Sequence, residues 1–131
     1  MHAVVALRGV IIEAARQFNA GRYFDAHETL EEGLDLVPPD LWELFLGLIQ
    51  IAVGYHKTTQ QLWSGAARML QLGLQKVEAF PADSAGVNIE ALRERVRADL
   101  GRLRDGHFDA ASFAQRPPRI QPLMSPTCDA E

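Results

Sequence analysis

The residues of this 131-residue chain best suited to chemistry are two histidines and the polar side chains near them. His27, Glu28 and Glu31 stand in the segment 18–32, and Gln50 and His56 in the segment 47–56. Each group interrupts a stretch that otherwise reads as helix core, and burying such groups unpaired costs free energy. Three chemistries use a set of this kind. Two imidazoles and a carboxylate bind a divalent transition metal and leave positions open. A histidine held by a glutamate acts as a general acid or base near neutral pH. The same groups also serve without any reaction, by hydrogen-bonding one another and setting helix register.

Spacing narrows these choices. Glu31 stands where the zinc-protease pattern His-Glu-x-x-His needs its second histidine. Phe24 stands where the Glu-x-x-His repeat of di-iron bundles needs its glutamate. No residue is therefore assigned as a metal ligand, and the cofactor is left unassigned. No Ser-His-Asp or Cys-His arrangement and no phosphate-cradling glycine loop is present. Gly9, Gly73 and Gly101 fall singly inside helical stretches, where close packing is the expected reason.

These groups must be positioned by helices, because strand signals are nearly absent. Val4, Leu7, Ile11, Ala14, Ala15 and Phe18 form a 3.6-residue stripe that predicts a helix over 3–18. Asn19-Ala20-Gly21 stops it. A second helix is expected over 23–36, ended by Pro38-Pro39, and a third over 41–58 with Asp40 as its N-cap. A fourth should span 62–80. A fifth should run over 89–103, capped by Asn88, ended by Gly106 and striped by Leu92, Val96, Leu100 and Leu103.

The expected fold is thus all-α: one bundle of about five helices with antiparallel hairpins over 1–114. An extended Pro-rich tail over 115–131 follows, the region being anchored by Phe108 and Phe113. On the second helix, positions 24, 27, 31 and 34 share a face. That places His27 and Glu31 toward the core with Phe24 and Leu34, and turns Glu28 and Glu32 to its edge. An antiparallel hairpin brings His27, near the start of the second helix, to His56, near the end of the third. Gln50 lies with Gly47 and Gly54, where missing side chains let another helix come close.

Composition bounds the partners. Between Arg22 and Lys57 there is no Lys or Arg, while Asp25, Glu28, Glu31, Glu32, Asp35, Asp40 and Glu43 all fall there. That strip, with a net charge of −4, argues against a nucleic acid. Arg93, Arg95, Arg97, Arg102 and Arg104 are interleaved with acids and read as a solvated face of ion pairs. The longest near-apolar stretch, 41–55, is too short for a membrane span and carries Glu43 and Gln50. A single cysteine, Cys128, precludes an intramolecular disulfide, so a soluble protein in a cytoplasmic setting is expected.

The pattern Phe-Asn-x-Gly-x-Tyr-Phe-x-x-His-Glu-x-Leu-Glu at 18–31 is followed by Gly-Leu-Ile-Gln-x-Ala-Val-x-x-His at 47–56 and Gly65-Ala66. Together these resemble the family known as domain of unknown function 309, over roughly residues 18–80. The resemblance implies an all-helical fold and a polar cluster, with no assigned activity. Family members usually carry Trp where this chain has Gly33-Leu34, and Gly-Asn between the third and fourth helices where it reads Gln60-Gln61-Leu62-Trp63-Ser64.

Two functions are consistent with these residues. The first is a non-enzymatic association or adaptor module with a structural His/Glu cluster. It would work as a homo-oligomer, or dock its acidic rim of Asp25, Glu28, Glu32 and Asp35 on a basic protein surface such as the arginine-rich helix of a second copy. The alternative is a small metal-assisted or acid–base hydrolase-like enzyme centred on His27, Glu31 and His56, with Glu28 and Gln50 in support. A sealed cluster favours the first, and a mouth lined by Tyr23, Tyr55 and carboxylates favours the second.

Overall fold

The computed structural model describes residues 2–123, with side chains from Ala6 onward; Val4, Pro126 and Cys128 lie outside the described side chains and residues. Six α-helices account for most of it: α1 (His2–Asn19), α2 (Tyr23–Glu32), α3 (Trp42–Thr59), α4 (Trp63–Val77), α5 (Ile89–Asp105) and α6 (Ala110–Gln115). No strand forms among the described residues beyond an isolated bridge between Val87 and Pro122. The fold is the expected all-α bundle, with one helix more than the apolar stripes suggest.

Local chemistry explains most boundaries. Gly21 (φ +81°) takes the left-handed conformation that turns α1 into α2. The Asn88 side chain accepts the Ala91 N–H at 3.0 Å and caps α5, as its position predicts. Asp40, by contrast, caps nothing. A 3-10 turn over Pro39–Leu41 leads into α3 without a side-chain cap, because Pro39 starts the turn one residue too early. Likewise α2 tightens into a 3-10 turn at Gly33–Leu36 rather than continuing.

α3 runs through the centre, burying Leu44, Phe45, Leu48, Ile51, Ala52 and Tyr55. It packs against α4 almost backbone to backbone. A Cβ at Gly73 would lie 2.7 Å from the Gly47 carbonyl oxygen, and one at Gly54 would lie 2.7 Å from Leu70 Cδ2. Gly73 therefore has the packing role expected of it. Gly9 and Gly101 do not, since nothing lies within 4 Å of where their Cβ atoms would be.

The helix α2 is rolled by one residue from its expected orientation. Its buried stripe is Tyr23, Ala26 and Leu30, continued by Gly33 at the start of the 3-10 turn, while Phe24 is 48% exposed and Glu31 is exposed. Two contacts set the roll. A Cβ at Gly33 would meet Val10 Cγ1 at 2.6 Å, so this edge of α2 is the one that α1 approaches. Tyr23 meanwhile packs edge-on to Phe18, ring centroids 5.0 Å apart, and against Tyr55 at 5.8 Å.

The segment after α5 is fastened to the bundle. Its first part forms α6, opened by a capping box in which the Asp109 carboxylate accepts the Ser112 N–H. Phe113 stacks on Trp63, with the Arg102 guanidinium 4.6 Å from its ring centroid. Beyond α6 the chain is extended, as its prolines imply. The Asn19 amide donates to the Ile120 carbonyl at 2.9 Å and accepts its N–H at 2.7 Å. Gln121 and Leu123 pair with Asn88 and Gly86 through the backbone. Phe108 and Phe113 are anchors as expected, but Asn19 and Ile120 hold the end.

Candidate functional site

The structure brings His27 and His56 together and leaves Gln50 elsewhere. His27 and His56 line one surface pocket of about 360 Å³ with Phe24, Val53, Lys57 and Gln60. The Phe24 ring sits between the imidazoles, with centroids 4.9 Å from His27 and 5.3 Å from His56. The Nδ1–H of His27 donates to the Phe24 carbonyl at 2.9 Å, which leaves Nε2 as the lone-pair nitrogen. Glu31 Oε1 lies 3.6 Å from that Nε2, too long for a hydrogen bond and an ionic contact only when the imidazole is protonated. Glu28 is exposed on the same helix and does not line the pocket.

Gln50 faces elsewhere on α3, on the side where Gly47 and Gly54 abut α4, and its Oε1 is buried without a hydrogen-bond partner. Among the described residues no three His, Cys, Asp or Glu side chains converge in a way that would hold a metal ion. The cluster is neither a sealed core network nor a carboxylate-lined mouth. It is a shallow aromatic–imidazole notch on the surface, and Tyr23 and Tyr55, the tyrosines that the enzyme alternative would place at its mouth, do not line it.

Those tyrosines belong to a second assembly that spacing alone did not single out. The Tyr55 hydroxyl donates to Asp99 Oδ2 at 2.5 Å, and Asp99 is 1% exposed. Arg95 Nε donates to the same oxygen at 2.9 Å and Arg102 to Oδ1 at 3.2 Å. A visible signal existed: on α5, position 99 shares the apolar face of Leu92, Val96 and Leu103, so a carboxylate there must be buried.

The arginines of α5 are consequently not a free basic face. Arg95 and Arg102 hold Asp99, Arg93 donates to the Phe80 carbonyl at 2.7 Å beyond the end of α4, Arg97 pairs with Glu78, and Arg104 with Gln71. Arg93 complements the negative end of the α4 dipole. The expected ion pairs form, with Arg97 and Arg104 exposed, while Arg93 and Asp99 are buried.

Burial, then the Asp99 carboxylate, pushes the Tyr55 phenol well above its ordinary range. Burial pushes Tyr23 up to about 12, with nearby Arg95 opposing and Asp99 adding. The folded protein thus holds both phenolic protons more tightly than the unfolded chain, whose tyrosines ionise near pH 10. That stabilisation is complete below about pH 10 and is lost as pH rises toward and beyond 12. Because these are the chain's only tyrosines, an ultraviolet titration reads them alone. Phenolate should appear together with loss of helical circular dichroism; ionisation near pH 10 in a fully helical protein would contradict it.

No helix among the described residues is long and apolar enough to cross a membrane. No curated protein matches the chain. A family model described as a domain of unknown function, DUF309, matches residues 11–69, spanning the turn at Gly21, the His27 helix, all of α3 and the start of α4. Over Ile11 to Met69, the chain is similar to the DUF309 family that its two motifs resemble.

Proposed function

We propose that this protein is a cytoplasmic, non-enzymatic association module, and that it docks a basic segment of another protein on the outer face of α2. One observation carries the reading. Phe24 stands 48% exposed on the same helical face as Glu28 and Glu31, and no Lys or Arg pairs with Glu28, Glu31 or Glu32 among the described residues. An exposed aromatic on the same helical face as carboxylates without a Lys or Arg partner offers an arginine both a cation–π surface and ionic partners. The arginines of a second copy's α5 are a poor occupant, since each is engaged within its own chain. A different, basic partner is the better complement.

The test is fluorescence anisotropy with a labelled amphipathic peptide of arginine and leucine. Binding should weaken with salt, because exposed charges are screened within about 8 Å at physiological ionic strength. It should fall by about tenfold or more in Phe24→Ala and in Glu28→Gln/Glu31→Gln, the loss of one anchoring contact being worth above ~1 kcal/mol. Asp83→Asn/Asp105→Asn serves as the control for net charge. Equal losses in the control, or no loss at α2, would overturn the proposal.

The acid–base reading keeps one supporting observation: the Phe24 carbonyl orients His27 so that Nε2 is its basic nitrogen. Ester hydrolysis above the buffer rate that vanishes in His27→Ala, while Glu28→Gln retains it, would favour this reading over docking.

A further inference from the structure

A second pocket, of about 440 Å³, opens between the α1–α2 turn, the end of α3 and α6. We infer that it is a binding site for a small uncharged molecule with a flat apolar body and one hydrogen-bond acceptor, which the Tyr23 hydroxyl engages.

The chemistry of the lining selects that class. Tyr23, Tyr55, Phe113, Pro117 and Pro118 supply ring faces and edges, and the volume falls in the range of small-molecule sites. No Asp, Glu, Lys, Arg or His lines it, so a charged ligand would lose its hydration without gaining a counter-ion. Most polar side chains in the wall are already engaged. Thr58 and Thr59 donate to the carbonyls of Tyr55 and His56 at 2.6 Å, Asn19 is held by Ile120, and the Tyr55 hydroxyl is held by Asp99.

Tyr23 is the exception. Its side chain is more than nine-tenths buried, with 6% of the residue exposed, yet its hydroxyl has no hydrogen-bond partner among the described residues. The sealed, unpartnered side-chain atoms there are Gln50 Oε1 and Arg93 Nε. The Tyr23 hydroxyl is not one of them, so it meets open space, and this pocket is the space that Tyr23 lines. Its raised pKa keeps it an O–H donor through the physiological range. A ligand carbonyl or ether oxygen placed there exchanges a water for a hydrogen bond in a largely apolar wall.

One wall is built by the fastened C-terminal segment, with Phe113 clamped between Trp63 and Arg102. The site therefore needs that segment in place, and the full chain is the protein to test.

Amide NMR titrations with acetophenone, and with ethylbenzene as its acceptor-free counterpart, decide the matter. Acetophenone should bind saturably with shifts centred on residues 19–23, 55–59 and 110–118, and more tightly than ethylbenzene. Tyr23→Phe, which keeps the ring, should weaken acetophenone by about fivefold to tenfold, the worth of one hydrogen bond, and leave ethylbenzene unchanged. Ala114→Trp, placed on an exposed α6 position in the wall, should abolish both. Absence of saturable shifts in the millimolar range, equal affinity for the two probes, or indifference to Tyr23→Phe would each overturn the inference.

Discussion

Asp99→Ala is expected to destabilise the protein by roughly 3–5 kcal/mol, the cost of breaking a buried ion pair by removing one partner. The carboxylate is 1% exposed and accepts from Tyr55, Arg95 and Arg102. Its removal leaves the buried Tyr55 phenol without its acceptor, takes an ionic partner from two part-buried guanidinium groups, and loosens α5 from α3. For a chain this size the melting midpoint should fall on the order of 10–20 °C. Tyr55→Phe should cost less, about 1–3 kcal/mol, since it removes one hydrogen bond to a charged acceptor and keeps the ring. Combined in a double-mutant cycle, the two losses should be clearly sub-additive, because both break the same contact. Urea unfolding of the four proteins measures this. A cost below ~1 kcal/mol for Asp99→Ala would show that water already reaches the network.

The second large effect lies at the α3–α4 crossing. Gly73→Val is expected to cost about 3 kcal/mol, the upper end for overpacking a core, because its Cβ would meet backbone as well as side chain. The nearest atoms are the Gly47 oxygen and Ile51 Cγ1 at 2.7 Å and the Ile51 nitrogen at 3.0 Å. Backbone cannot rotate aside, so the helices must separate. The paired substitution Gly101→Ala, also within a helix, should instead stabilise by roughly 0.5–1 kcal/mol, the gain in helix propensity with nothing in the way. Thermal melts of both variants check the two signs. Equal effects at the two positions would mean that α3 and α4 do not approach as closely as described.

The candidate site divides along similar lines. The meeting of His27 and His56 follows from reading α2 and α3 as an antiparallel hairpin, because the turns at Pro38-Pro39 and the apolar run of α3 leave little choice of topology. The roll of α2 does not follow from periodicity. The stripes 23/26/30/33 and 24/27/31/34 have identical spacing and differ by one residue, about 100° of rotation. The uncharged composition of the first stripe was a usable hint. What decided between them was Val10 closing on Gly33 and the ring cluster of Phe18, Tyr23 and Tyr55.

By itself, the sequence determined the helical class, the turn at Asn19–Gly21, the Asn88 cap and the anchoring role of Phe113, because each rests on local backbone chemistry or on apolar spacing within one element. Only the tertiary structure decided which carboxylate is buried, which arginines are consumed and which tyrosine hydroxyl is left open to a pocket. Those outcomes depend on pairings between residues far apart in the chain, such as Tyr55 with Asp99 and Asn19 with Ile120. A polar group's burial is set by the partners that reach it, and no property of its own helix specifies those partners.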